Sequence, residues 1–423
     1  MRYQYFSLST SNSTQLAINM VTSESEHRPL NVLISGAGIG GLAAAAALRQ
    51  AGHLVQVFER SSFKNEYGAA VSISPNANGI LRELGLALED VGGVNAAKVN
   101  EYAIQISLAI HPPRRSPQRP QRHRHLPTGT GTPVTIHLGH RVSSVDNDTA
   151  TLTLENGERI HGDLVIAADG VNSVLRNNVD HSGIHPSPFG LSTYRFLIPA
   201  DVLYADPQTR RFIETGEFEL WSGGNNKLVL YPCRSGTVLN CAFLITDENP
   251  HENKKEMTGE TMKQIVLDIV KDWHPDITTL IHKVDPSAMG YWPLYDMPTL
   301  HTWTSGRTAL LGDAAHPFLP FQGQGAAQAI EDAIALATLL PLPQTTPTDV
   351  PERLRLYQQA RFERVRLIQQ HSRDVGKEDQ EVTRVNNGTA AFLYLDYNFA
   401  HDARAHAAGL LAANAGAQMQ SVC

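Results

Sequence analysis

The chain has 423 residues, 42% of them hydrophobic and 18% charged, with a formal net charge of -7. This is the composition of a globular protein with room for two intergrown domains and a helical tail, and its acidic balance argues against general nucleic-acid binding. Three cysteines, Cys233, Cys241 and Cys423, are too few and too scattered for a disulfide framework or a zinc site, which fits a reducing compartment and implies no metal.

Residues 1–29 are polar, rich in Ser and Thr and without a continuous apolar stretch, and are expected to form a disordered lead. Nothing elsewhere reaches the roughly 18 apolar residues of a membrane span. The chain is therefore expected to be soluble and cytoplasmic, a monomer or homodimer without a membrane or nucleic-acid partner. Asn31 to Ser35 reads as a buried parallel strand. It is followed by Gly36-Ala37-Gly38-Ile39-Gly40-Gly41, a helix from Leu42 to Gln50 that closes at Gly52, and a strand from His53 to Phe58 that delivers Glu59. In that context Gly36 makes the turn, Gly38 admits a pyrophosphate, Gly41 lets helix lie against strand, and an acid roughly 20 residues on takes a ribose hydroxyl. One such fingerprint is present, so a second nucleotide must bind without a glycine-rich loop of its own.

Arg141 to Val145, Thr151 to Glu155 and Arg159 to His161 alternate as an antiparallel ribbon, with Asn156-Gly157 at a hairpin. Leu164 to Ala168 is another buried strand; Asp169-Gly170 makes a turn, and Ser173 to Arg176 begins a short helix. Taken alone, Asp-Gly is usually no more than a turn. Thr193-Tyr194-Arg195-Phe196 and Leu228 to Pro232, which includes Tyr231, have strand character. An arginine in a strand is more often solvated or paired than functional, and a Tyr-Pro strand end is usually packing. A helix over Thr261 to Trp273 is expected to cover these strands, and Trp292 to Tyr295 to return the chain to the first domain.

Thr308 to Leu311 suits a buried strand, and Gly312 turns the chain so that Asp313 projects at its carboxyl end, where open α/β sheets bind ligands. Gly323 and Gly325 then leave backbone N–H groups uncovered at the start of an amphipathic helix, Ala326 to Leu340. Its positive end suits negative charge on a ring or phosphate. Glu352 to Arg373 is a charged helix, and the tail to Cys423 reads as further helix.

Gly36 to Gly41 with Glu59, Asp163 to Arg176, and Gly312 to Gly325 together resemble, in order and spacing, the single-component FAD-dependent aromatic hydroxylases, especially the salicylate hydroxylase-like branch. The resemblance runs from about Asn31 to Leu340. It implies an α/β fold in which a glutathione-reductase-type, Rossmann-like FAD-binding domain (30–182 with 291–345) is interleaved with a β-sheet substrate domain (183–290). Residues 68–130 contribute partly to the substrate side, and 346–423 form a helical region. It further implies FAD as cofactor, NADH or NADPH as a cosubstrate that docks and leaves, and hydroxylation of a phenolic or other aromatic small molecule by O2 through a flavin C4a-hydroperoxide. Position by position, Gly36, Gly38, Gly41 and Glu59 would hold the ADP half of FAD, and Asp313 the ribityl or neighbouring oxygens. Asp169 and Gly170 would serve both FAD and the nicotinamide, with Arg176 at the end of the same motif. The N–H groups around Gly323, Gly325 and Ala326 would face the flavin's pyrimidine edge, and Pro320 would shape the adjoining loop. Arg195 resembles a substrate-anchoring arginine, and Tyr231 the tyrosine of the strand facing the flavin; these two are the catalytic candidates.

One segment departs from the family. Where relatives open a helix with a flavin-contacting arginine, this chain has His111 to Pro127, with five arginines and repeated prolines that cannot form that helix. A basic nucleic-acid arm, a disordered loop and a misread coding frame remain as accounts, and Arg124 is the candidate to replace the missing arginine. Two alternatives to aromatic hydroxylation also stand: epoxidation or oxidative rearrangement of a non-phenolic metabolite, and a flavin-binding protein without efficient turnover. Arg195 and Tyr231 both facing the flavin would favour a phenolate substrate.

Overall fold

A computed structural model describes residues 28–62, 70–95, 99–103, 106–108, 131–247, 257–381 and 394–422. The lead as far as residue 27, and the Arg/Pro-rich segment with Arg124, lie outside the described residues. Arg28, inside the expected lead, is a bidentate partner of Asp163, with Nη1 and Nη2 each donating over 2.7 Å.

The short apolar runs build a parallel sheet. β1 (Asn31–Ser35) lies between β2 (Leu54–Glu59) and β9 (Leu164–Ala167). Beyond β2 comes β5 (Thr135–Leu138), beyond β9 comes β16 (Thr308–Leu310), and β15 (Thr304–Ser305) adds an antiparallel edge. Every residue of β9 is buried, as expected of a strand covered on both faces. α1 (Ile39–Gln50) starts at Ile39 rather than Leu42, because Gly38 already occupies the extended N-cap position.

The substrate domain is a seven-stranded sheet. Its order is β14 (Gly290–Asp296), β10 (Ser187–Pro199), β13 (Val238–Thr246), β12 (Asn226–Cys233), β11 (Phe218–Gly223), β3 (Val99–Ala103) and β4 (Ile106–Leu108). Trp292 to Tyr295 is thus an edge strand of this sheet, and the chain returns to the parallel sheet only after Asp296. Strand alternation sends Tyr194, Phe196, Leu228, Leu230, Cys241 and Phe243 into a core with α6 (Gly259–Val270) and α7 (Pro275–His282), and α4 (Ala200–Tyr204) and α5 (Pro207–Glu214) close its end. The opposite face therefore carries Arg195, Tyr231 and Asn240, Tyr231 lying directly across from Asn240.

The ribbon expected before Asp163 is a three-stranded sheet of β6 (Val142–Asp146), β7 (Thr151–Leu154) and β8 (Arg159–His161). α2 (Pro75–Glu83) packs on the helical layer, and α3 (Arg176–Val179) lies against β15 and β16. The helical region holds α8 (Gly325–Leu339), α9 (Val350–Glu381), α10 (Leu395–Phe399) and α11 (Ala403–Val422). The amphipathic reading of α8 does not hold. The helix is buried on nearly every face, because α1, α2, α9 and α11 surround it. Among the described residues no helix is long and apolar enough to cross a membrane.

Candidate cofactor and substrate site

Three loops meet at the carboxyl ends of β1, β9 and β16, because those strands are neighbours in the sheet. Two glycines of the first loop are required by packing. Gly36 has φ +100°, and a Cβ there would lie 2.4 Å from Ala168 O; a Cβ on Gly41 would lie 2.1 Å from Gly36 O. Gly38 differs, since a Cβ on it would meet nothing within 4 Å. The space beside its Cα is therefore open. Glu59 accepts from the Ala37 N–H at 2.8 Å and the Ser61 N–H at 2.7 Å, so the carboxylate expected to meet a ribose also fastens the glycine loop.

In the second loop the Oδ2 of Asp169 accepts from the N–H groups of Val174 (2.9 Å) and Leu175 (3.3 Å), while its Oδ1 is buried without a hydrogen-bond partner. Gly170 takes φ +82°, a conformation that suits glycine. Arg176 is 2% exposed and ties the second loop to the third. Its Nε donates to Ala314 O at 2.8 Å, and its Nη2 to Val171 O at 2.8 Å and Asp313 O at 3.1 Å. Burial lowers the pKa of this guanidinium, against the opposing pull of Asp169 and Asp313.

The third loop begins at Gly312, with φ +62°, and carries Asp313 on a short helical turn. The Asp313 side chain is open to solvent although protein surrounds it closely. Burial pushes its carboxyl up from the usual range, with His316 and Arg176 acting against that rise. Its carboxylate makes no hydrogen bond to any described residue, so it is free to meet a ligand hydroxyl. Pro320 is exposed and opens a second turn, and Gly323 (φ +60°) leads into α8. The helix begins at Gly325, one residue before the expected Ala326, with no side-chain cap and no acid in its first turn. Its leading N–H groups are therefore available to an anion or an electron-rich ring edge. Ile39 and Leu42 on the first turn of α1, and Val174 on the second loop, are exposed apolar side chains.

These features fit FAD: an open approach at Gly38, an unpartnered carboxylate oxygen at Asp169, a free carboxylate at Asp313 and an uncapped helix start at Gly325. On the substrate sheet, Arg195 and Tyr231 are both partly covered and converge on one acceptor. Arg195 Nη2 and Tyr231 Oη each donate to Ala70 O over 2.9 Å. Asn240 Oδ1 accepts from the N–H of the same residue at 3.2 Å. Arg195 Nε and Asn240 Nδ2 are left buried without partners. Tyr231 stacks on Phe218 with ring centroids 5.5 Å apart, and burial pushes its phenol up to about 12, so it is a hydrogen-bond donor at neutral pH.

Asn240 and the Ala70 peptide were not foreseen, nor were Glu331 and Asp332. An asparagine in the middle of a β-strand was the available signal for the first, and two adjacent acids inside an otherwise Ala/Ile/Leu helix for the second.

The family model described as an FAD binding domain matches residues 29–372, and the chain belongs to that family. Its relatives include several FAD-dependent monooxygenases. Hispidin-3-hydroxylase of Neonothopanus nambi is 32% identical over 376 residues, covering 80% of this chain and 86% of that protein. The FAD-dependent monooxygenase cfoG of Aspergillus candidus is 36% identical over 368 residues, covering 80% and 84%. Among solved structures, CtdE in complex with FAD and a substrate superposes with a TM-score of 0.74 at 21% identity, covering 93% of this chain and all of that one. A salicylate hydroxylase substrate complex gives 0.71 at 24% identity, covering 90% of this chain and 98% of that one. The protein is thus an aromatic-hydroxylase-like FAD-dependent monooxygenase by family, with the matching fold.

Proposed function

We propose that this monooxygenase hydroxylates a phenolic or other aromatic small molecule, using NADH or NADPH as electron donor and O2 as oxygen source. The observation that carries the reading is the pair Arg195 and Tyr231, both partly buried on the face of the substrate sheet turned away from its own helical core. A guanidinium held in a poorly hydrated place favours ionisation of a phenol beside it, which raises electron density at the ring carbons ortho and para to the oxygen. Tyr231, kept protonated by burial, donates to the Ala70 carbonyl that Arg195 also holds, and so fixes the guanidinium beside the ring.

When bound, the flavin supplies activated oxygen at the cost of two electrons from the nicotinamide. The protein's own residues have the remaining tasks. Gly36, Gly38, Gly41 and Glu59 hold the ADP half, Asp313 the ribityl side, and Asp169 and Gly170 the junction that FAD and the nicotinamide share. The first N–H groups of α8, around Gly323, Gly325 and Ala326, stabilise negative charge on the reduced ring. The chain lacks a second glycine-rich loop, which supports a nicotinamide that docks transiently rather than residing.

The test is to reconstitute the purified protein with FAD and measure NADH and NADPH oxidation, hydrogen peroxide release and product formation across a panel of phenols and matched non-phenolic aromatics. Faster nicotinamide oxidation and lower peroxide release with phenols support the proposal. Turnover confined to non-phenolic members would remove the phenolate reading, and an epoxide or rearranged product would replace hydroxylation.

A further inference from the structure

Asp313 has an unusual mounting. Its carboxylate has no hydrogen-bond partner among the described residues, so its aim depends wholly on the turn that carries it. From one side Arg176 holds the carbonyls of Asp313 and Ala314. From the other side a fully buried carboxylate, Asp332 of α8, holds both ends of the same turn. Its Oδ2 accepts from the Gly312 N–H at 3.1 Å and from His316 Nε2 at 2.7 Å. Within the turn, the N–H groups of Ala315 and His316 both return to Gly312 O at 2.8 Å.

We propose that Asp332 is a positioning residue for the cofactor-facing carboxylate of Asp313, acting through Gly312 and His316 rather than by touching the cofactor. The inference rests on the FAD reading of this site. A buried anion survives only where it is paired, and Asp332 is paired on its second oxygen by Arg361 Nε at 2.8 Å. Arg361, 1% exposed, is itself fixed by Glu331 Oε2 and Gln328 Oε1, each at 2.6 Å. Tyr357 Oη also donates to Leu310 O at 3.0 Å, pinning the end of β16 immediately before the turn. The result is a rigid rear support running from α9 through α8 to the turn. A carboxylate directed this way needs no side-chain partner of its own, which leaves its lone pairs for the ligand.

The test is a double-mutant cycle read by FAD affinity of the apoprotein, followed by quenching of flavin fluorescence. Asp332→Asn and His316→Phe are each expected to raise the FAD Kd by at least about tenfold, the cost of losing a charge-assisted hydrogen bond. In an Asp313→Asn background the same changes should have little further effect, because what they position is already gone. Glu219→Gln, which weakens the ion pair between buried Glu219 of the substrate sheet and half-buried Arg211 of α5, should lower the unfolding midpoint and leave the FAD Kd unchanged. Should Asp332→Asn fail to fold, His316→Phe carries the same cycle with the Arg361 pairing intact. Additive losses in the cycle, or an equal rise in Kd for Glu219→Gln, would overturn the proposal. Failure of the wild-type protein to bind FAD would instead overturn the reading on which it rests.

Discussion

Replacing Gly38 and Gly41 by alanine, one at a time, separates a glycine kept for a ligand from a glycine kept for the fold. At Gly38 φ is -72°, which alanine adopts without strain, and the added Cβ meets nothing within 4 Å. The apoprotein should therefore lose no more than about 1 kcal/mol, the scale of a weakened N-cap. A methyl group in the space through which a pyrophosphate approaches costs roughly 1–3 kcal/mol of overpacking, or about 5- to 150-fold in Kd for FAD. At Gly41 the methyl would sit 2.1 Å from Gly36 O, a backbone atom that cannot give way cheaply. Gly41→Ala should thus destabilise the apoprotein before any cofactor is added. Thermal unfolding of both apoproteins and a fluorescence titration with FAD measure the two effects. If Gly38→Ala binds FAD as the wild type does, or destabilises the apoprotein as much as Gly41→Ala, the assignment of that open space to the cofactor is wrong.

Other outcomes follow from the same geometry. Against the opposing effect of burial, Arg361 and Arg364 hold the Glu331 carboxyl well below the usual glutamate range, at about 2. Its contribution, on the order of 3 kcal/mol, is fully present above the unfolded value and is lost as pH falls toward the folded one. Urea unfolding at neutral pH and at pH values between those limits should show this loss, and Glu331→Gln should flatten it while lowering stability at neutral pH. Arg176→Ala would leave the carbonyls of Val171, Asp313 and Ala314 without their donor, which predicts a lower unfolding midpoint together with weaker FAD binding. Tyr231→Phe removes one of two donors to the Ala70 carbonyl and should leave FAD affinity unchanged. It should reduce substrate-dependent turnover by about tenfold, with more peroxide released per nicotinamide oxidised.

The motif-bearing loops were legible because each is a local object. A buried strand, a glycine at positive φ and a helix start follow one another within a few residues at Gly36, Gly170 and Gly312, and the sequence shows all of them. Alternation likewise revealed the ribbon from Arg141 to His161 and set Arg195 and Tyr231 on strands. What the sequence hid depends on distant partners. Asn240 acquires its role only when β13 lies between β10 and β12 and the Ala70 peptide arrives above it. The adjacent acids Glu331 and Asp332 looked like the polar stripe of an amphipathic helix, because the arginines that neutralise them lie about 30 residues further along, on α9. Trp292 to Tyr295 was mistaken for a connection because an edge strand with a proline has weak strand character.

The central claim is that one chain holds one flavin that a nicotinamide reduces while an aromatic substrate is bound. The most direct measurement is an anaerobic visible spectrum of the FAD-reconstituted protein before and after addition of NADH or NADPH, with and without the phenol that best stimulates turnover. One oxidised flavin per chain is expected, bleached on addition of the nicotinamide and recovered when air is admitted. A protein that takes up no FAD, or whose bound flavin stays oxidised under every combination, would contradict it.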